Sequence, residues 1–376
     1  MRIAVDLRRM GNPGIGRYMK CLVEALTSGA PQFEYVLIVP PAHLHAISTN
    51  GHSRKVASLL KYYSISEQIG LPRLLRREGV QLFHSPHFLV PLWRTCPQVV
   101  TIHDVIHLVY PQDIPSLAGR LYSRAMVRAA VRLSDHIITV SEFSKRDILR
   151  HYDIDAGNVH VIYSGIDKAL HRVEDHNEID RVRRKYGIEQ EYILYAGIYR
   201  ERKNHAGLFR AFAKLAQAGV SSDLVIAGPL AEGEAKLRQF AKELGIVSRV
   251  RFPGFVPDEE MPALYSGARV YACPSMYEGF GFTILEAMNC GTPVVCNPVT
   301  SLPEVAGDAA LFADASSPDV FAAALHRAMT DESCRAELRQ RGYANVKRFS
   351  WRRAAEKTAD VYALALETSA LSSLAE

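Results

Sequence analysis

The chain has 376 residues, of which 48% are hydrophobic and 23% charged, a composition typical of a globular protein with room for two domains. Its 45 basic and 40 acidic residues leave a net charge of +5, too mild to predict nucleic-acid binding. The six cysteines form no C-x-x-C pair, which favours reduced thiols and a cytoplasmic protein. No run approaches the roughly 20 apolar residues of a membrane span, and the first apolar stretch is too short for a signal peptide.

The chain begins with a predicted strand at residues 2–6, a glycine-rich loop at 11–16 and a helical periodicity at 17–26. Such a loop suits an anion or the close approach of a ligand. Its spacing is G-x-x-G-x-G, not the G-x-G-x-x-G of dinucleotide-binding proteins, and Glu34 stands at the start of the next strand. A dehydrogenase is therefore disfavoured, and a plain connecting turn is the alternative.

Strand and helix signals then alternate, which predicts a parallel sheet covered by helices on both faces. The predicted strands are residues 35–39, 80–83, 99–102, 136–140 and 159–162. His103 and Asp104 directly follow one of them and are placed at the carboxyl edge of the sheet, where such folds carry function. His84, His87, His103 and His107 have ligand-like spacings, but neither pair lies on a convincing helix, and we predict no metal site.

Two basic regions stand out in this half. Arg120, Arg124, Arg128 and Arg132 recur every four residues in a helical segment, with Leu121 expected to face the core. Residues 54–77 mix further bases with leucines and tyrosines. Both regions fit anionic lipid headgroups, which predicts peripheral contact with a membrane; a solvated helix face is the alternative.

The densely charged segment 171–190 separates two runs of strand signals and is interpreted as a linker between a domain of residues 1–170 and one of residues 191–351. The second domain starts with a predicted strand at 192–197 that ends in a glycine. Arg202 and Lys203 follow it, and two cations at a strand-to-helix junction are suited to a diphosphate.

A strand at 270–273 is followed by two carboxylates eight positions apart, Glu278 and Glu286, with a glycine-broken loop between them. Backbone N–H groups of such a loop, and the helix start after it, receive phosphate. Carboxylates on either side suit sugar hydroxyls, so the segment predicts a nucleotide-sugar site. The alternative is that Thr283 and Glu286 form a helix capping box.

This segment resembles the E-x7-E signature of the retaining family 4 glycosyltransferases, which have the two-domain GT-B fold. Further matches occur in family order at residues 11–17, 103–104, 140–144, 163–167, 195–197 with 202–204, 225–228, 252–255 and 349–351. The resemblance implies an α/β protein of two doubly wound, Rossmann-like parallel-sheet domains facing across a cleft. It also implies that the first domain binds the acceptor, the second binds the donor, and a final helix at 352–376 packs back on the first.

The resemblance also implies residue roles. Glu278 would bind the transferred sugar, and Lys203 and Arg202 the departing diphosphate. Ile198 stands where the family commonly has arginine, so Arg202 would have to supply that guanidinium. His103 would contact the sugar or leaving group, and Asp104 would orient it or the acceptor. Donor contacts are further implied for Gly14, Ile15, Gly16, Phe255, Val256, Gly279, Phe280, Gly281, Phe282, Thr283 and Glu286.

By this resemblance the chain would transfer a hexose with retention, without metal or cofactor. We favour mannose, or a 6-deoxy relative such as rhamnose, from a GDP-linked donor. The acceptor would be a lipid-linked cell-surface glycan, such as the O-antigen of lipopolysaccharide, at the inner face of the plasma membrane. The alternatives are a UDP- or dTDP-sugar donor, a nucleotide-sugar epimerase, and a nucleotide-sugar-binding protein without turnover.

Overall fold

The computed structural model describes residues 1–12, 14–48, 51–114, 116–230 and 233–375. Pro13 of the predicted glycine loop and Glu376 of the predicted final helix lie outside the described residues. The chain divides into two compact units. The first unit contains residues 1–165 and 349–376, and the second contains residues 166–348.

The described part of the first unit has a seven-stranded parallel sheet in the order β3-β2-β1-β4-β5-β6-β7. The strands are β1 Arg2–Asp6, β2 Glu34–Val39, β3 Ser53–Ala57, β4 Leu82–Ser85, β5 Gln98–Thr101, β6 His136–Thr139 and β7 Val159–Val161. The helices are α1 Ile15–Gly29, α2 Ile65–Arg77, α3 Ile106–Val109, α4 Leu117–Leu133 and α5 Glu142–His151, with α14 Trp351–Ala375 at the end of the chain. Successive residues of β1 are buried, as expected for a sheet covered on both faces.

The first unit differs from the sequence prediction in a shift of β4, which lies two residues beyond the predicted strand 80–83, and in two larger details. The edge strand β3 was not predicted, because its sequence Ser-Arg-Lys-Val-Ala has little apolar content and is only partly buried. On α4, Leu121 is 58% exposed rather than in the core. Arg120 is partly buried and donates from Nε to the Ile114 carbonyl at 2.8 Å, so the exposed basic stripe consists of Arg124, Arg128 and Arg132.

The described part of the second unit has a six-stranded parallel sheet in the order β10-β9-β8-β11-β12-β13. The strands are β8 Tyr192–Ala196, β9 Asp223–Ala227, β10 Val250–Gly254, β11 Val270–Cys273, β12 Val294–Cys296 and β13 Ala310–Phe312. The helices are α6 His176–Lys185, α7 His205–Gln217, α8 Gly233–Glu243, α9 Met261–Ser266, α10 Phe282–Asn289, α11 Leu302–Ala306, α12 Pro318–Thr330 and α13 Glu332–Val346.

Residues 171–190, expected to be a linker, lie in the second unit. Their helix α6 packs on α9. The Glu260 carboxylate pairs with Lys185 Nζ at 2.7 Å and with Arg181 Nη1 at 3.1 Å. It also accepts a hydrogen bond from the Tyr186 hydroxyl at 2.5 Å. The charges that suggested a solvated linker therefore bind a buried carboxylate.

The last helix, α14, packs against α1 of the first unit. Its buried Tyr362 hydroxyl lies 2.6 Å from His84 Nδ1 beneath the sheet edge. Gly165 touches the start of this helix so closely that a Cβ there would collide with the backbone nitrogen of Trp351. Among the described residues, no helix has both the length and the apolar character needed to cross a bilayer.

Candidate functional site

Both sheets have a point at which the strand order reverses, and doubly wound proteins bind ligands just beyond the strand ends there. In the second unit this point lies between β8 and β11. Arg202 and Lys203 follow β8, and Glu278 follows β11. The topology therefore places three predicted site residues at one position.

These three side chains form an ion cluster. Lys203 Nζ donates to Glu278 Oε1 at 2.5 Å, and Arg202 Nη1 lies 3.8 Å from Glu278 Oε2. Burial would raise the pKa of Glu278, but the charges of Lys203 and Arg202 outweigh it, so this pKa is lower than usual. Glu278 is thus ionised at neutral pH. Two cations against one carboxylate leave the cluster positively charged, which favours an anionic ligand.

Backbone contacts fix the cations. The Met276 N–H donates to the Arg202 carbonyl at 2.7 Å, and Arg202 Nη1 donates to the Tyr277 carbonyl at 3.2 Å. The next residue, Asn204, has φ 51° and caps α7 by accepting from the Gly207 N–H at 3.0 Å. The N-terminus of α7, with its partial positive charge, therefore lies beside the cluster.

The glycine loop after β11 is held by two hydroxyls that the sequence analysis did not single out. Ser301 Oγ bonds to the carbonyls of Glu278 at 2.9 Å and Phe280 at 3.0 Å, while the Glu278 N–H donates to Thr300 Oγ1 at 3.1 Å. Gly281 has φ 99°, and a Cβ there would lie 2.9 Å from Leu302 Cδ2. Glycine is required at this turn. Both hydroxyls follow the neighbouring strand β12, a position that the sequence shows without showing the contact to the glycine loop.

Helix α10 begins at Phe282 with Gly281 as its N-cap, directly after Gly279 and Phe280. The rings of Phe280 and Phe282 pack at 5.0 Å. Thr283 lies inside the helix and hydrogen-bonds Tyr271, so it is not the cap of a capping box with Glu286.

Glu286, on the next turn of α10, is only 6% exposed. Its Oε2 accepts from the buried Tyr265 hydroxyl at 2.9 Å. Tyr265 was not predicted, because the contact arises from the packing of α9 on α10. A buried carboxylate with one oxygen oriented by a tyrosine is suited to accept ligand hydroxyls.

Phe255 and Val256 follow β10, the outer strand beyond β9. Phe255 is 72% exposed, whereas Val256 is buried. Gly254, just before them, accepts from the Gly228 N–H at 2.8 Å. In the sheet, β9 lies between β10, which precedes this pair, and β8, which precedes Lys203. The role of Phe255 and Val256 in binding the base stays a prediction.

In the first unit the strand order reverses between β1 and β4. Gly14, at φ 77°, precedes Ile15, the first residue of α1. The Gly16 N–H donates to the Asn12 carbonyl at 2.7 Å, and a Cβ at Gly16 would collide with the Met10 carbonyl oxygen. These glycines let the chain turn tightly from β1 into α1.

His103, which follows β5, is held by two neighbours. Its Nε2 lies 3.1 Å from the Pro86 carbonyl, and its ring meets Tyr18 of α1 edge-on at 4.6 Å. A carbonyl can only accept, so Nε2 carries the proton and Nδ1 is an acceptor. Burial lowers the pKa of His103 to about 4, which makes the ring neutral at pH 7. Asp104 Oδ1 accepts from the Ile106 N–H at 3.0 Å, at the start of α3.

Two other histidines of this region, His84 and His107, bind hydroxyls of the protein. His84 contacts Tyr362 at 2.6 Å and Thr101 at 2.9 Å, and His107 Nε2 lies 3.1 Å from the Tyr152 hydroxyl. His84 is fully buried, which lowers its pKa to about 3. These rings support the sheet edge around His103.

Comparison with known proteins gives the family. Residues 14–170 match the family model "Glycosyltransferase Family 4", and residues 177–345 match "Glycosyl transferases group 1". The chain is also 33% identical over 368 residues to the O-antigen chain mannosyltransferase B of Escherichia coli, which covers 93% of this chain and 96% of that protein. The chain belongs to the family 4 glycosyltransferases.

Two more comparisons agree. The serotype-specific mannosyltransferase WbdA of Escherichia coli is 29% identical over 365 residues, or 93% of this glycosyltransferase and 43% of that longer protein. The sucrose-phosphate synthase structure from Thermosynechococcus elongatus superposes with a TM-score of 0.78 at 22% identity, covering 98% of this chain and all of that one. The two parallel-sheet, Rossmann-like units thus have the predicted GT-B fold.

In this glycosyltransferase the structure brings together Arg202, Lys203 and Glu278, with the glycine loop at their side. Glu286 lies on α10, one helix turn beyond the glycine loop, and accepts a hydrogen bond from Tyr265. Gly14 and His103 belong to the first unit, where Tyr18 links α1 to the histidine. Their roles toward the substrates stay predictions.

Proposed function

We propose that this glycosyltransferase moves mannose from GDP-mannose to a lipid-linked O-antigen-type glycan, with retention of configuration and without a metal ion. The positively charged Arg202–Lys203–Glu278 cluster at the β8–β11 switch point carries the proposal, because it fits a sugar diphosphate. Two Escherichia coli relatives named as mannosyltransferases favour mannose over rhamnose.

The diphosphate is bound by charge and by helix ends. Lys203 acts as a point charge and Arg202 as a planar fork, each on a phosphate oxygen. The N-termini of α7 and α10 add N–H groups and partial positive charge. These groups also stabilise the charge that builds up as the nucleoside diphosphate departs, which is where catalysis requires stabilisation.

The two carboxylates bind the two ends of the donor. Glu278 is ionised and held by Lys203, so its oxygens accept from hydroxyls of the transferred sugar. Glu286 accepts from ribose hydroxyls, with one of its oxygens oriented by Tyr265. The backbone of Gly279 to Phe282 lies between them and contacts the diphosphate and the sugar.

His103 acts as a neutral group. Its Nε2 proton is directed to Pro86, so Nδ1 accepts from a hydroxyl of the transferred sugar. Asp104 braces the start of α3 through Ile106 and positions the histidine segment. The acceptor hydroxyl attacks on the face from which the diphosphate leaves, which yields retention without a covalent sugar–enzyme intermediate.

We further propose that the first unit docks on the anionic inner face of the plasma membrane. On α2 the exposed large apolar residues of the first turns are Ile65 and Ile69, and Arg73 follows them. On α4 the exposed large apolar residues of the first turns are Leu117 and Leu121, and a run of arginines follows them. Both helices thus carry apolar side chains near their N-termini and bases further on. An apolar tip beside bases is typical of interfacial binding.

Contacts join the two helices and a neighbouring loop into one surface. Tyr63, just before α2, meets Tyr122 of α4 at 5.2 Å. Gln68 of α2 accepts from the Leu92 N–H at 2.8 Å, and the Arg76 guanidinium lies 5.7 Å from the ring of Trp93, which is 70% exposed. We call Ile65, Ile69, Leu92, Trp93, Leu117 and Leu121, with the adjoining arginines, the amphipathic surface.

A donor panel tests the function. We expect GDP and GDP-mannose to raise the melting temperature more than UDP or dTDP, and transfer from GDP-mannose to a water-soluble α-mannobioside to give an α-linked product with or without EDTA. The anomer is read by NMR. Preferential binding of UDP would contradict the GDP-linked donor, and an inverted product would contradict retention. Loss of transfer in EDTA would contradict a metal-independent reaction. Release of altered sugar from donor alone would indicate an epimerase.

A further inference from the structure

Among the described residues, three that are not glycine have a left-handed backbone: Tyr63 at φ 61°, Asn204 at φ 51° and Thr300 at φ 56°. Such strained residues persist only where their surroundings hold them, and they cluster at functional sites. Asn204 caps α7 beside the Lys203 cluster, and Thr300 accepts from the Glu278 N–H. The third, Tyr63, lies in the first unit and has no substrate-binding role in the function proposed so far.

A buried ion cluster holds Tyr63 in place. The Tyr63 N–H donates to Glu67 Oε2 at 3.0 Å. Arg8 Nη2 lies 2.8 Å from Glu67 Oε1 and 2.6 Å from Asp6 Oδ2, and the three charged side chains are almost completely buried. Burying three charges is costly unless all are paired. This arrangement fixes the segment between β3 and α2 to the end of β1.

The fixed tyrosine presents an aromatic ring beside a cation. The Tyr63 ring is at the surface, with the residue 48% exposed. The Arg9 guanidinium hydrogen-bonds the Tyr63 hydroxyl and lies 5.4 Å from the Tyr63 ring and 5.3 Å from the Tyr62 ring. We call this pair the Arg9–Tyr63 platform. The Arg8 guanidinium also contacts Tyr62, at 4.6 Å from the ring centroid.

The topology places the platform at the same sheet edge as His103. Strands β1, β4 and β5 are neighbours in the sheet, and Arg9, His87 and His103 follow their ends by two or three residues. His87 is 6% exposed, and its Nδ1 is buried with no hydrogen-bond partner among the described residues. Burial, and then the charges of Arg9 and His103, hold the pKa of His87 well below its usual value, so this ring is neutral too.

We propose that Arg9 and Tyr63 bind the acceptor glycan, with the C–H face of a pyranose on the Tyr63 ring, one hydroxyl accepting from Arg9 and another hydrogen-bonding His87. This inference rests on the proposed function and names its acceptor subsite. Arg8 is neutralised by Asp6 and Glu67, so Arg9 is the cation that the platform presents. One such charge beside aromatic rings and neutral histidines favours an uncharged sugar over a diphosphate.

The key variant is Tyr63→Gly, because glycine adopts φ 61° without strain but lacks the ring. With GDP-mannose and a water-soluble α-mannobioside, we expect acceptor KM to rise about tenfold. Donor KM should change less than about twofold, and the melting temperature should hold or increase as the strain is relieved. Tyr63→Phe keeps the ring and should raise acceptor KM by a smaller factor. Val109→Ala, an exposed position of the same unit, is the control.

An unchanged acceptor KM in Tyr63→Gly, or an equal rise in donor and acceptor KM, would overturn the proposal. If the wild type transfers no mannose to the mannobioside, the proposed function fails, and saturation-transfer NMR of the mannobioside without donor then tests the platform alone. Signals that weaken in Tyr63→Gly support it. Equal signals in both proteins, or competition by inorganic pyrophosphate rather than by added mannobioside, would show that the ligand is not the glycan.

Discussion

The two units share the strand order of six strands, to which the first unit adds β7, but they differ in the charge of their carboxyl edges. At the β8–β11 edge, two cations surround an ionised carboxylate. At the carboxyl edge of the first sheet, His84 and His87 are buried and His103 is partly exposed, and all three rings are neutral at pH 7, with the pKa of His103 lowered to about 4. Each sheet has the same kind of binding position, at the carboxyl ends of the strands where the strand order reverses. The side chains placed on it make one edge suitable for an anion and the other for uncharged hydroxyl groups.

The largest effect is expected from Lys203→Ala. Removing this charge leaves the partly buried Glu278 carboxylate without its nearer cation, with Arg202 at 3.8 Å, and takes one donor from the departing diphosphate. We expect kcat/KM for GDP-mannose to fall about 10²- to 10³-fold. Lys214→Ala, an exposed lysine of the same unit, is the control, because its partner Asp319 is also exposed. If Lys203→Ala turned over within a few-fold of the wild type, the assignment of Lys203 to the donor site would be wrong.

Glu286→Ala should weaken binding of GDP itself. Losing the hydrogen bonds of a buried carboxylate to ribose should raise the Kd for GDP roughly tenfold to a hundredfold, as measured by calorimetry. Tyr265→Phe removes only the hydroxyl that orients Glu286 and should raise the Kd by a smaller factor. If GDP bound Glu286→Ala as tightly as the wild type, the assignment of this carboxylate to the ribose would be wrong.

Acid should destabilise the first unit more than the second. Burial lowers the pKa of His103 and His107 to about 4 and that of His84 to about 3, from 6.5, whereas the second unit contributes His205, at about 4. Below pH 6.5 the unfolded chain therefore binds protons that the folded unit does not. Each histidine should then cost up to about 1.4 kcal/mol of unfolding free energy per pH unit.

Calorimetry between pH 7 and pH 5 would measure this difference. The melting transition of the first unit should move to lower temperature than that of the second as the pH falls. Hydrogen bonding to Lys185 and Tyr186 lowers the pKa of Glu260 in the second unit to about 2, from 4.5. Its stabilisation is lost only as the pH falls below about 4.5, outside this range. Transitions that shift together with pH would contradict the contrast between the two edges.

The smallest effect is expected on the amphipathic surface. Arg124→Ala should weaken binding to vesicles that contain anionic lipid about fivefold, since one base near a charged membrane contributes about 1 kcal/mol. Lys357→Ala removes the same charge from α14 and should bind like the wild type. Added salt should release all three proteins. Recovery of the wild type only in the supernatant at low salt would end the membrane proposal.

The sequence predicted elements well where local patterns decide the structure. The apolar run 270–273 coincides with β11, and the strand predicted at 192–197 begins with β8 and runs one residue beyond its end. The polar strand β3 was missed because its pairing with β2 stabilises it more than its own composition does. The exposure of Leu121 was also missed, since periodicity shows that a helix has an apolar side but not whether another element covers it.

Within the site, motifs predicted the charged residues but not the groups that hold them. Arg202, Lys203 and Glu278 could be named from the strand–loop–helix pattern, and the structure joins them in one cluster. Ser301 and Tyr265 could not, because each contacts its carbonyl or carboxylate partner 21 to 23 residues away along the chain. Such contacts depend on how neighbouring strands and helices pack, which no local pattern specifies.

The close approach of Gly165 to Trp351 has a topological consequence. The chain leaves the first unit just after Gly165 and re-enters it at Phe349, so its exit and entry points are neighbours in space. The second unit is therefore an insertion that a few glycines could replace. A shortened chain joining residue 165 to residue 349 would keep α14 on α1 and should yield a free-standing first unit.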